Sequence, residues 1–564
     1  MSLIQKALFI SFIMTSTYLS LANANNTPFR VNAQLDDLAF EDYSLANLVL
    51  KELDIFEPYW GEGPYQLRPR QYKNYYIGFK SDDQYCDNHR AYWTQNPSYI
   101  FTESNYMSSY NPEHFARRFA LDLFATNVNP KIHHRSYETD QEYPMALNTN
   151  LVVTGGTMYN YRHVGKQFSC LGQSSNHIPG HRNLYQKDFA ALNLREYAKR
   201  YESRPQCFRK FFPKSFVMTD KQHCQEFFQV INSQEYQQEK EDKNIVFIRK
   251  IVGLHAGSGV TPVDLKEENE IRKFYQNGEA CGKQKERALI QHFVPNPLLI
   301  DGKKSDFRLY LLIASTNPLI AFYHDGYFRI SFTQYDAHSQ EKSSLVTNSA
   351  ISPELAEAKK TGFYNGRTYA ELKEDQSWLF DKFQNYILQE GLVTDPNWVD
   401  NVLRPECKKA MVHLLRMSQH SFLKRSSLFE LYGVDFMLDD KLNLWFIEAN
   451  ALPGLSEKSP TLTQFEGKML RDEFDIIFRL LRSRMKRVFY YVNTLIVRGE
   501  ATRIGEDKVE IQDLKAHIQE FRQISQNRFE PEFEPLPDNG FIKIIDENYS
   551  GTKMYNDILS YECL

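Results

Sequence analysis

The stretch that most restricts what this chain can fold into is residues 428–455, LFELYGVDFMLDDKLNLWFIEANALPGL. Two short apolar runs, 434–438 and 444–449, flank a polar turn at 439–443, which is the pattern of an antiparallel hairpin. Closing that turn sets Asp435 opposite Glu448. Glu448 and Asn450 are two apart, and side chains of a strand alternate between faces, so both point the same way. Two carboxylates and an amide oxygen therefore meet at one end of a hydrophobic ribbon. Ionised carboxylates in apolar surroundings are costly unless a cation or a donor satisfies them. A hard divalent ion with oxygen ligands, Mg2+ first among them, suits this set. The alternative, from these residues alone, is a hairpin whose acids face water.

Cationic strands precede the hairpin. Residues 244–252, NIVFIRKIV, read as a strand that runs into Gly253-Leu254-His255-Ala256-Gly257-Ser258-Gly259. Glycine lets a backbone approach phosphates closely, and Lys250 just before the loop supplies a point charge. A plain hairpin loop is the competing reading. In 297–308, PLLIDGKKSDFR, alternation puts Lys304, Asp306 and Arg308 on one face, with Phe307, Leu309 and Leu311 on the other. A turn is expected at Thr316-Asn317-Pro318 and a second at Asp325-Gly326, after which a returning strand carries Arg329. Arg329 either faces the same site or sits on a solvent-facing edge.

In this order and spacing the elements resemble the tubulin–tyrosine ligase-like family of ATP-grasp ligases. The resemblance is carried by Asn176-His177-Ile178-Pro179-Gly180 with Lys187-Asp188, by Phe211-Phe212-Pro213-Lys214-Ser215-Phe216, by the strand and loop around Lys250, by Gln291-His292-Phe293, by 297–308, by Arg329, by Thr347-Asn348 and by 428–453. It implies an α+β ATP-grasp fold, in which two subdomains clamp ATP between antiparallel sheets. Asp435, Glu448 and Asn450 would hold Mg2+ against the ATP phosphates. Lys250, Gly257, Gly259, Gln291, His292, Lys304, Asp306 and Asn348 would contact ATP. Arg308, Arg329 and Glu448 would serve the transfer itself, since fixed cations stabilise a transferring phosphoryl group. The implied reaction activates a carboxylate as an acyl phosphate and lets an amine displace phosphate. The implied partners are tubulin or another glutamate-bearing protein as acceptor and a free amino acid as donor, glutamate first. The chain departs from the family pattern at Ile251, Ala256, His292 and Leu345, where proline, arginine, lysine and histidine are usual. These changes leave two other readings: a ligase acting on a non-tubulin acceptor, and a nucleotide-binding protein without turnover.

The resemblance spans residues 146–490, with an N-terminal extension at 25–145 and a C-terminal helical tail at 491–564. Residues 1–24 carry Lys6, a short apolar run and Ala22-Asn23-Ala24, the marks of a signal peptide and hence of export; a cytoplasmic or microtubule-associated protein is the alternative. No later run is apolar enough to predict a membrane span. Helices are expected within 106–125, at 221–231, over much of 350–425, from Ser459-Pro460 onward and at 508–521. A net charge of −4 argues against a nucleic-acid binder. Arg482, Arg484, Lys486 and Arg487 form the densest basic cluster, either a seat for an acidic peptide or a solvated helix face. Seven scattered cysteines without a C-x-x-C suggest neither zinc nor a redox pair; they read first as free structural thiols, the alternative being one or two disulfides formed after export, which the sequence does not pair.

Overall fold

The computed structural model describes strands at 98–102, 131–133 and 151–154 and, with internal breaks, residues 174–548. The leader expected at 1–24 and the helix expected within 106–125 lie outside the described residues. The chain is an α+β protein, as the resemblance implied, with an eleven-stranded and a four-stranded sheet and two two-stranded ones among the described residues.

Strands β1 (Ser98–Thr102), β2 (Lys131–His133), β3 (Leu151–Thr154) and β4 (Ser174–Asn176) pair in parallel, in the order β4-β3-β1-β2. Helix α1 (Lys187–Lys199) then leads into a small lobe. There β5 (Ser215–Val217), β6 (Phe247–Ile251), β7 (Val260–Pro262) and β8 (Ala288–His292) make an antiparallel sheet in the order β5-β8-β6-β7. Helices α2 (Lys221–Ile231), α3 (Gln234–Lys243) and α4 (Leu265–Phe274) belong to the same lobe. Helix α2 begins where Asp220 accepts a hydrogen bond from the His223 amide, and it buries Phe227, Phe228 and Ile231 against Phe216 and Phe247. Cys224 of α2 is bonded to Cys281, which follows α4. The expectation of free thiols is thus corrected for this pair: the fold brings two residues 57 apart in sequence to a Cα separation of 5.6 Å. Cys407 is a free, buried thiol.

The large sheet has eleven strands. Its centre is β9 (Leu299–Ile300), β10 (Lys303–Thr316), β11 (Leu319–Gln334), β12 (Ser377–Trp378), β13 (Leu428–Leu438) and β14 (Leu444–Asn450). The order is β12-β11-β10-β13-β4-β3-β1-β2, with β14 on β13 and β9 on β10. Phe307, Leu309 and Leu311 face one core, shared with helices α7 (Phe380–Gln389) and α8 (Arg404–Ser418), which follow α5 (Pro353–Thr361) and α6 (Tyr369–Gln376). Near the other face runs α9 (Pro460–Arg498), capped by Ser459, whose Glu466 accepts from the Tyr310 hydroxyl.

Four expectations change. Asp325-Gly326 is not a turn, because β11 runs straight through it. Between the pairs Arg308–Tyr327 and Tyr310–His324, β10 passes one residue and β11 two, so the pair forms a bulge. A Cβ on Gly326 would lie 1.8 Å from the Arg308 carbonyl oxygen, which is why glycine stands there. Arg484 and Arg487 of the basic cluster on α9 are not on a solvated face: Arg484 is fully buried and donates to Asn527, and Arg487 donates to the Ile524 and Gln526 carbonyls. These bonds tie the tail to α9. The tail itself opens with a hairpin, β15 (Ala501–Ile504) and β16 (Lys508–Ile511), so the helix expected from 508 starts only after that strand. Farther on, β17 (Ile542–Asp546) adds to β11, making the tail part of the main sheet, and the boundary expected at 490/491 falls inside α9.

Candidate active site

The hairpin register is the expected one. Asp435 on β13 pairs with Glu448 on β14, and Gly433 pairs with Asn450. The Asn450 amide nitrogen lies 3.4 Å from both Asp435 Oδ2 and Glu448 Oε1, so the three groups converge. The neighbouring strands continue the line: Arg308 on β10 is directly opposite Asp435, and Asp306 is directly opposite Arg329 on β11. Cross-strand neighbours on one face lie close enough for their side chains to meet. Arg308 accordingly grips Asp435 in a fork, Nε to Oδ1 at 2.5 Å and Nη2 to Oδ2 at 2.9 Å. Arg329 bridges Asp306 at 2.5 Å and Asp435 at 3.1 Å, and the Thr347 hydroxyl donates to the other Asp306 oxygen.

Gly433 explains how the fork is reached. A Cβ at that position would come within 2.8 Å of Arg308 Cδ and 2.9 Å of its Nε, so the side chain of Arg308 crosses the strand only because glycine is beneath it. The small lobe supplies Lys250 from β6, which donates to Gln291 Oε1 at 2.7 Å, while the Gln291 amide donates to Ser215 Oγ. Lys304 places Nζ 3.8 Å from the centre of the Phe293 ring. Gly259 sits where β6 and β7 join: its carbonyl accepts from the Ile251 amide, and a Cβ would meet Leu254 at 2.7 Å. The strands on either side of the glycine-rich segment, β6 and β7, pair antiparallel. Gly257 and Asn348 lie outside the described residues.

One expected residue is turned away. His292 follows Gln291 in the same strand, so the two point to opposite faces. Gln291 faces the cleft, whereas His292 packs edge-on against Phe247 and lies 3.2 Å from Glu239 of α3. The expected contact of its imidazole with a base is corrected on that ground. Conversely, the site includes Lys187, whose Nζ is 3.1 Å from Glu448 Oε2. Its only sequence signal was its place in a Lys-Asp pair 261 positions before Glu448.

The charges act on one another strongly. Burial pushes the Lys250 ammonium down to about 8 and Lys187 adds to this, against the pull of Glu448 and Asp435. Lys304 is pushed down to about 7, again chiefly by burial. Burial acts to raise Asp435 and Glu448, yet both stay below the usual carboxylate range, Asp435 because of Arg308 and Arg329, Glu448 because of Lys187 and Lys250. Lys187, Lys250, Lys304, Arg308 and Arg329 face Asp306, Asp435 and Glu448, a formal surplus of two positive charges that suits a polyanion.

A Mg2+ ion fits the donor chemistry. Among the described residues no group of three or more His, Cys, Asp or Glu could hold a metal alone. Two carboxylates and an amide oxygen, completed by ligand phosphates, are however what this ion takes in phosphate-binding sites.

The profile of the Tubulin-tyrosine ligase family matches residues 166–487, more than half of the chain. The chain belongs to that family. Members of the family are ATP-dependent amino-acid ligases, among them glycylases and glutamylases. The chain is 26% identical over 292 residues to the protein polyglycylase TTLL10 of Macaca fascicularis, a match covering 49% of this chain and 43% of that protein. To the inactive polyglycylase TTLL10 of Homo sapiens it is likewise 26% identical over 292 residues, 49% of this chain and 40% of the relative. To the tubulin polyglutamylase TTLL5 of Mus musculus it is 29% identical over 199 residues, 34% of this chain and 14% of the relative. The matched part thus spans less than half the length of these relatives.

Proposed function

We propose that this chain is an ATP- and Mg2+-dependent ligase that joins the side-chain carboxylate of a glutamate, on tubulin or another protein, to the amine of a free amino acid. The observation that carries this reading is the single line of Arg329, Asp306, Arg308, Asp435 and Glu448 across four strands, facing Lys250 of the small lobe. In such a reaction an acceptor oxygen attacks the γ-phosphorus, and the bond to the bridging oxygen breaks with its electron pair leaving on ADP. The donor nitrogen then attacks the acyl carbon, phosphate departs, and the nitrogen loses a proton to water. Arg308 and Arg329 hold positive charge where the transferring phosphoryl group gathers negative charge, and the Arg308 fork on Asp435 and the Arg329 bridge between Asp306 and Asp435 keep them in place before substrate arrives. Mg2+ bound by Asp435, Glu448 and Asn450 would neutralise phosphate charge.

Glutamate, the first expectation for the donor, is supported by the polyglutamylase relative, and glycine by the polyglycylase relatives. The deciding experiment is ADP release by the purified protein with Mg-ATP, tubulin and each amino acid in turn, with Glu448→Gln as blank. Release that needs both tubulin and one amino acid supports the ligase and names its donor. A second reading, nucleotide binding without turnover, draws on Ala256 in the loop and on His292 turned to Glu239. ATP binding without ADP release in every mixture is its signature. Export through residues 1–24 is part of the proposal, and the Cys224–Cys281 bond supports passage through an oxidising compartment. A mature N-terminus at Asn25 in secreted material is the expected result, and an intact Met1 in cytosolic material refutes it.

A further inference from the structure

Arg308 leaves the sheet from a piece of backbone that is itself held from the far side. Alternation sends its side chain to the face of Asp435, while Phe307 and Leu309 on either side of it enter the core shared with α7 and α8. The bulge of β11 falls at this same point. The two residues that β11 passes there are Asp325 and Gly326, and the missing Cβ of Gly326 leaves room for the Arg308 carbonyl oxygen. A bulge next to a site re-aims a neighbouring side chain, so the shape of this one sets the direction in which Arg308 points.

The extra residue of a bulge lacks a ladder partner, and only its side chain can fix it. Asp325 is fixed in this way. Its carboxylate accepts from the Tyr323 hydroxyl at 2.6 Å and from Arg404 of α8, Nη2 to Oδ2 at 2.5 Å, Nε to Oδ2 at 2.9 Å and Nε to Oδ1 at 3.1 Å. The Arg404 guanidinium also lies 5.6 Å from the centre of the Phe380 ring. That ring packs on Phe307 and Phe328, the sequence neighbours of Arg308 and Arg329. Asp325 and Arg404 are 26% and 20% exposed, and an ion pair this accessible adds little to overall stability, whereas a fork fixes orientation. We propose that Asp325 and Arg404 are positioning residues: their fork holds the bulge under Arg308 and so aims the guanidinium at the transferring phosphoryl group. The proposal rests on the ligase reading above. Both residues act through the backbone, from the face of the sheet opposite the site.

The test uses the full chain with Mg-ATP, tubulin as the acceptor probe and hydroxylamine in place of the donor. Hydroxylamine nitrogen attacks the acyl phosphate carbon, phosphate leaves with the C–O electron pair, the nitrogen loses a proton to water, and a hydroxamate marks each activated carboxylate. A 1 Å misplacement costs about 10²-fold, and loss of the pin shifts Arg308 by less because Asp435 still grips it. Asp325→Asn and Arg404→Met are therefore each expected to lower kcat about 10-fold with KM for ATP within about twofold of wild type. Together they lose no more than either alone, and Arg404→Lys, which keeps the charge without the fork, recovers part. Asp400→Asn removes the other carboxylate that Arg404 donates to, 64% exposed, and leaves kcat within about twofold. In an Arg308→Lys background Arg404→Met lowers the residual kcat by less than about twofold, because the guanidinium it aims is gone. A tether that only holds α8 to the sheet would cost the same factor in both backgrounds. That equal cost, an unchanged kcat in Asp325→Asn and Arg404→Met, or a loss in Asp400→Asn as large as in Asp325→Asn overturns the proposal and leaves the ligase reading standing. Wild-type protein that binds Mg-ATP and yields no hydroxamate on tubulin refutes both.

Discussion

Replacing Gly433 by alanine tests whether the arginine fork organises the site. Gly433 lies inside β13 without a positive φ, so alanine meets no backbone penalty there. The added methyl would stand 2.8 Å from Arg308 Cδ, 2.9 Å from Arg308 Nε and 3.0 Å from Pro453 Cβ, against an ordinary contact of about 3.5–4 Å. Relief requires Arg308 to move by roughly 0.5–1 Å. That movement is resisted, because both ends of the fork are held by Asp435 and Arg308 is only 7% exposed. Overpacking of this kind costs about 1–3 kcal/mol of stability, read as a lower urea midpoint at unchanged slope. A displacement near 1 Å of a group that must meet a transferring phosphoryl lowers kcat by about 10²-fold, read as ADP release. In an Arg308→Ala background the methyl has nothing to strike, so Gly433→Ala then adds less than about 0.5 kcal/mol. If Gly433→Ala keeps wild-type stability and turnover, or costs as much without Arg308 as with it, glycine is not what seats the fork.

Glu448→Gln keeps ATP binding and loses Mg2+-dependent ADP release by about 10²–10³-fold; release that survives the change removes Glu448 from the metal set. Lys250, pushed down to about 8 from 10.5, is charged below pH 8, so ATP affinity falls as pH rises through that value, and Lys250→Met removes the dependence. The same shift has a stability sign. Between pH 8 and 10.5 the unfolded chain holds a proton that folded Lys250 has lost, so Lys250 contributes stability that rises with pH over that window, and a denaturation series in Lys250→Met should lack this contribution. Cys224→Ser loses a cross-link between residues 57 apart and lowers small-lobe stability by roughly 2–4 kcal/mol, measured by limited proteolysis with and without dithiothreitol; equal resistance in both conditions speaks against the bond.

Much of the site was legible because it is built from strands. Period-two alternation and a short turn are enough to set Asp435 against Glu448 and to place Lys304, Asp306 and Arg308 on one face. The same rule, applied to Gln291 and His292, already forbids both from facing one ligand, and the resemblance to the family obscured it. Asp325-Gly326 misled for a different reason. A tight turn and a bulge both need a residue without a Cβ, and only the close approach of the Arg308 carbonyl shows which of the two it is.

What the sequence by itself determined is therefore local: the hairpin and its facing acids, the cationic strand, the start of α9 at Ser459-Pro460, and membership of the family. Tertiary structure alone decided what comes from far away in the chain. It brought Lys187 to Glu448, paired Cys224 with Cys281, buried Arg484 under the tail, joined β17 to β11 and ran Arg308 across Gly433. The physical reason is that strand periodicity and caps act over a few residues through backbone geometry, whereas these contacts depend on how whole elements stack, which no short window of sequence encodes.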